Sequence, residues 1–148
     1  MQRVISHQLS TIARCATALL AAIAAPSFAS TSGVVISQVY GGNGNAFASD
    51  YVELFNAGAS AVAIDGWSLQ YGSATGTGNF ASNGVTALAG TLQPGQHYLV
   101  KLATTTGPAL PAADATGTTN LSGSAGKVVL ANASTGLACN GSSTPCSA

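Results

Sequence analysis

Beyond residue 29 the chain carries few groups able to do chemistry. They are one histidine (His97), four carboxylates (Asp50, Glu53, Asp65 and Asp114), two lysines (Lys101 and Lys127) and the cysteines Cys139 and Cys146. A serine hydrolase would need His97 to meet an aspartate and an exposed serine, yet no G-x-S-x-G elbow occurs. His97 falls in the run His97–Leu102, opposite the apolar positions of that run, which makes it a surface residue of a strand. With no set of nucleophile, base and oxyanion donors to assemble, the expectation is a protein that is not an enzyme, with no catalytic and no cofactor-binding residues.

Asp50 and Glu53, with Asn43 and Asn45 in GGNGNAFASD, form the only oxygen-rich cluster able to attract calcium, which takes about six to eight oxygen ligands. Three positions apart on a strand, however, Asp50 and Glu53 point to opposite faces. No metal site is therefore expected: Asp50 caps or ends a loop and Glu53 decorates the solvent face. The glycine-rich stretch at 41 to 44 follows a strand, but no helix follows to supply the N–H groups of a phosphate cradle, so it reads as a turn. N-x-S/T sequons stand at Asn120, Asn132 and Asn140, and matter in a host that glycosylates exported chains.

The scarcity of charge follows from how the chain begins. Arg3, His7 and Arg14 precede an uncharged apolar run, Ala16 to Ala25, with no acidic residue among them. That run is about half of the roughly 20 residues needed to span a bilayer, so it reads as a helical signal peptide rather than an anchor. Pro26 stops the helix, and Ser27-Phe28-Ala29 supplies small residues for cleavage. The expected division is a signal peptide over 1–29 and one domain over 30–148. The product is secreted, extracellular or periplasmic, with no membrane attachment after cleavage.

Cleavage leaves two lysines against four carboxylates, a net charge of −2. Such a chain has no basic stripe with which to neutralise several phosphates, so no direct nucleic-acid binding is expected. Cys139 and Cys146 remain as an even pair, which in an oxidising compartment closes a disulfide. The loop is short, so its stabilisation belongs near the lower end of about 2 to 4 kcal/mol.

The elements that must position these groups are short runs rich in β-branched and aromatic residues: Val34 to Tyr40, Tyr51 to Phe55, Trp67 to Tyr71, His97 to Leu102 and Lys127 to Ala131, with a weaker run at Val85 to Leu88. Turn chemistry separates them. Asp65-Gly66 suits positive φ, and Pro94-Gly95 suits the centre of a type II turn. Alternation places Trp67, Leu69 and Tyr71 on a core face, with Ser68 and Gln70 on the other. By the same rule Val52 and Leu54, Tyr98, Val100 and Leu102, and Val128 and Leu130 point inward, with Trp67 as the central core residue. In VVISQVY, Ile36 and Val39 share a face only if a bulge intervenes. Segments 72–84 and 103–126 read as surface loops.

The order of motifs resembles that of bacterial lamin tail domains, the immunoglobulin-like module shared with the tails of nuclear lamins. The resemblance rests on VVISQVYGG at 34–42, DYVELFN at 50–56, AIDGWSLQY at 63–71, LQPGQHYLV at 92–100 and GKVVLAN at 126–132, which cover nearly all of the chain beyond the leader. It implies an all-β, immunoglobulin-like sandwich serving as a non-catalytic extracellular binding or spacer module for an unknown extracellular or cell-surface partner. The alternative it implies is an accessory domain ahead of a secreted endonuclease/exonuclease/phosphatase-type hydrolase. Bacterial members usually carry a further apolar strand after the cysteine loop, so the resemblance also implies a domain cut short before its last strand, with an unpaired edge left exposed.

Overall fold

The computed structural model describes residues 33–42 and 46–146; the expected leader and the loop positions Asn43 and Asn45 lie outside the described residues. Nine strands follow one another: β1 (Val34–Tyr40), β2 (Ser49–Asn56), β3 (Val62–Ala63), β4 (Ser68–Ser73), β5 (Val85–Ala87), β6 (Thr91–Leu92), β7 (His97–Thr104), β8 (Ala115–Thr116) and β9 (Gly126–Ala131). Among the described residues a single 3-10 turn, Phe80–Asn83, interrupts them. The fold is an all-β sandwich of immunoglobulin type.

One sheet has the order β1-β2-β7-β8 and the facing sheet the order β5-β4-β9, while β3 and β6 form a separate two-stranded ladder. Every pairing is antiparallel except β7 with β8. In the central pair, Val52 stands opposite Val100 and Leu54 opposite Tyr98. Cross-strand partners share a face, so period-two alternation in both strands delivers one apolar layer to the core. Leu69 from the facing sheet and Leu92 from β6, with Ile64, Leu88 and Leu121 from the connections, complete that core.

The register of β1 shifts between Ile36 and Gln38. This irregularity at Ser37 puts Ile36 opposite Leu54 and Val39 opposite Val52, so the two apolar residues face the same way despite their spacing. Val39 is nonetheless 51% exposed. The sheet that carries it is one strand wider than the sheet it faces, and β9 pairs only with β4 among the described residues.

Three expectations are corrected. The face of β4 that bears Ser68 and Gln70 is not a solvent face: both residues are buried, because the segment after β9 folds back over them. Trp67 is not the central core residue. It lies just before β4, in the turn where its N–H donates to Ile64 O, and it is only partly buried against the core. The segments read as surface loops contain buried anchors, Phe80 on the 3-10 turn and Leu121 before β9, and the second also contains β8. Short strands such as β3, β6 and β8 have too few residues for a period-two signal to register.

Candidate functional site

The outward face of the four-stranded sheet gathers most of the groups with chemistry to offer. Glu53 and His97 lie on β2 and β7 on the side away from Leu54 and Tyr98. His97 Nδ1 stands 3.0 Å from Glu53 Oε1. The bulge turns Ser37 to the same face, and its hydroxyl donates to Glu53 Oε1 at 2.7 Å. This hydrogen bond is the main reason the Glu53 carboxyl sits below its ordinary value; partial burial opposes the shift, and His97 adds to it. Serine, glutamate and histidine thus meet, which their sequence positions did not reveal. The serine, however, gives its proton to the carboxylate rather than to the imidazole, and a triad nucleophile needs the reverse arrangement.

Aromatic rings flank this cluster. Phe55 packs on His97 with ring centroids 4.7 Å apart. Further along the face, Tyr40 and Tyr51 stack at 5.4 Å, and Phe47 meets both edge-on. Tyr51 donates to Gln38 Oε1, while Tyr40 Oη accepts from Ala46 N. Lys101 stands directly across the ladder from Tyr51. Beside Lys101 opens a groove of ≈ 610 Å³ whose other wall is the segment after β7.

The remaining carboxylates are used internally. Asp50, fully buried in β2, accepts from Leu121 N at 2.7 Å. Asp65 accepts from Gly90 N and Asp114 from Leu99 N. Each aspartate fixes the backbone of a segment distant in sequence, where a charge-assisted hydrogen bond is stronger than a neutral one. Among the described residues, no three His, Cys, Asp or Glu side chains stand close enough to form a metal set. No helix among them is long and apolar enough to cross a membrane.

The family model of the lamin tail domain matches residues 27–143. The chain belongs to the lamin tail domain family. A comparison with curated proteins finds no match, and a comparison with solved structures finds none. In this lamin tail domain the motif VVISQVY is the bulged β1, DYVELFN is β2, and the Pro94-Gly95 turn leads into β7. The asparagine that ends β2 shows why the motif carries that residue. Asn56 Nδ2 donates to Ser60 O and Leu92 O, and its Oδ1 accepts from Gly58 N. One buried side chain therefore holds the turn and the β3–β6 ladder together.

The inward positions of this lamin tail domain divide into two groups. Val52, Leu54, Leu69, Tyr98, Val100 and Leu102 are buried, whereas Trp67, Tyr71, Val128 and Leu130 are partly buried against them. Cys139 and Cys146 form a disulfide with Cα atoms 5.2 Å apart. Lys127 donates to Asn140 O and Ser142 Oγ within the bridged loop. Asn140 is itself buried, and its Oδ1 accepts from Ser142 N and Thr144 N, so of the three sequons this one offers no accessible amide. No sequence signal pointed to the docking of the segment between β9 and Cys139 on Gln70, because a lone glutamine in a strand reads as a solvent residue.

Proposed function

We propose that this lamin tail domain is an exported, non-catalytic binding or spacer module. The observation that carries the reading is where the reactive groups are spent. Asp50, Asp65 and Asp114 each hold a backbone N–H, and the Ser37 hydroxyl donates to Glu53. What faces outward is a largely uncharged, aromatic-bearing sheet surface on a rigid frame, which suits recognition better than bond cleavage.

Two measurements test it. Purified protein incubated with bis(p-nitrophenyl) phosphate, p-nitrophenyl acetate and duplex DNA, with and without divalent cations, is expected to release no product above the blank. Turnover that disappears in Glu53→Gln or His97→Gln would overturn the non-catalytic reading. Intact mass spectrometry is expected to find a chain beginning at Ser30 outside the cytoplasm. Retention inside the cell with residues 1–29 attached would overturn export.

A further inference from the structure

The groove beside Lys101 has preformed walls. Thr105 N donates to Ala48 O, and Ala48 N donates to Pro108 O, which ties the segment after β7 to the start of β2. Asp114 N donates to Leu99 O while the Asp114 carboxylate accepts from Leu99 N, so the segment is pinned again where it returns toward β8. Pro108 and Pro111 restrict the backbone between these anchors. The resulting groove of ≈ 610 Å³ continues past Lys101, Thr104 and Thr116 into a second recess of ≈ 520 Å³. Both are open to solvent along their length, which suits an extended ligand lying on the surface rather than one enclosed by the protein.

The chemistry of the trough is narrow. Lys101 lies between the two recesses, and among the described residues no carboxylate forms an ion pair with it. Around it stand the exposed hydroxyls of Thr116 and Thr118. Across the ladder is Tyr51, stacked on Tyr40 and met edge-on by Phe47. One ammonium, neutral hydroxyls and an aromatic surface side by side match a ligand with one carboxylate, several hydroxyls and an apolar ring edge. A nucleic acid would need several cations. An acidic peptide would bring carboxylates but none of the ring hydroxyls that Thr116 and Thr118 could meet.

We infer that this trough and the sheet face beside it bind a uronate-bearing oligosaccharide, with a sugar carboxylate on Lys101 Nζ and an adjoining ring reaching out of the trough onto Tyr51 across the ladder. The inference rests on the binding-module reading and deepens it. The threonine hydroxyls bond the sugar hydroxyls, and the pinned segment supplies a wall that needs no ordering on binding.

The test is isothermal titration of the purified protein with an oligogalacturonate and with a neutral glucan of equal length, using oligoglutamate and oligothymidylate as competing chemistries. Oligogalacturonate is expected to bind one to one, and the neutral glucan to bind at least about tenfold more weakly, the effect of losing one charge-assisted hydrogen bond. Lys101→Gln is expected to weaken the uronate about tenfold. Lys101→Arg keeps most of the affinity, and Tyr51→Ala weakens acidic and neutral sugars alike. Thermal unfolding of each variant at the parent temperature shows that the loss is local. Absent uronate binding, equal affinity for the neutral glucan, unchanged affinity in Lys101→Gln, or tighter binding of oligoglutamate or oligothymidylate would each overturn the assignment. Chromatography of the recovered sugar separates the two readings: intact unbound sugar sinks the saccharide assignment alone, whereas shortened sugar sinks the non-catalytic reading.

Discussion

Leu137 N donates to Gln70 Oε1 at 2.9 Å, and Gln70 is 1% exposed although it stands on the face of β4 opposite Leu69. The glutamine amide also donates to Thr135 O and Ser68 Oγ, so one side chain welds the segment after β9 onto the back of the sheet. Gln70→Leu keeps the volume and removes all of these partners. It is expected to cost about 1 to 3 kcal/mol, because the buried Ser68 Oγ, and Thr135 O and Leu137 N in part-buried bonds, lose their partner. Urea denaturation measures this, and a loss below about 0.5 kcal/mol would show that water replaces the amide there.

The disulfide closes a loop that also has internal support from Asn140 and is tied to β9 by Lys127. Replacing both cysteines by serine is expected to cost about 2 to 3 kcal/mol while leaving the sandwich folded. A thermal midpoint unchanged from the parent, or loss of the native near-UV circular dichroism at 25 °C, would contradict this.

Burial ranks Leu54 above Trp67, since Leu54 is 0% exposed and Trp67 only partly buried. Leu54→Ala is expected to cost about 3 to 5 kcal/mol and Trp67→Ala about 2 kcal/mol. If chemical denaturation reverses the order, the indole has a larger share of the core than its position before β4 indicates.

The Glu53 carboxyl is held below its ordinary value of 4.5, chiefly by the Ser37 hydroxyl and then by His97. A carboxyl whose folded value is depressed contributes stability above its unfolded value, and that contribution is lost as pH falls through the folded value. Ser37→Ala is therefore expected to raise the Glu53 titration more than His97→Gln does, and to reduce the loss of stability on acidification below pH 4.5. Carboxyl-carbon NMR titration of the three proteins checks the order. A larger rise in His97→Gln would falsify it.

Lys101 and Lys127 are the only lysines beyond residue 29, where no arginine occurs, and the Lys127 ammonium is already committed to Asn140 and Ser142. Binding to single- or double-stranded oligonucleotides is expected to be no tighter than about 10⁻⁴ M at physiological salt. Fluorescence anisotropy at two salt concentrations tests this. Micromolar affinity that weakens steeply with salt would overturn the charge argument.

What the sequence determined by itself was local: which runs are strands, where Gly66 and Gly95 take positive φ, and which side of β2 and β7 faces the core. Those features depend on alternation and turn chemistry within a few residues, so they are written in the chain directly. For β1 alternation left two readings, since Ile36 and Val39 face one way only with a bulge, and the register against β2 decided for it. Tertiary structure alone decided the rest. Ser68 and Gln70 are buried because residues some 65 positions later cover them. Trp67 is half-buried because the Asp65-Gly66 turn keeps it outside β4. Ser37, Glu53 and His97 meet because β1 and β7 flank β2, and Lys101 borders a groove because Asp114 pins the returning chain. Each of these is a contact between distant segments, set by strand order and loop docking, and no pattern confined to one run of residues records it.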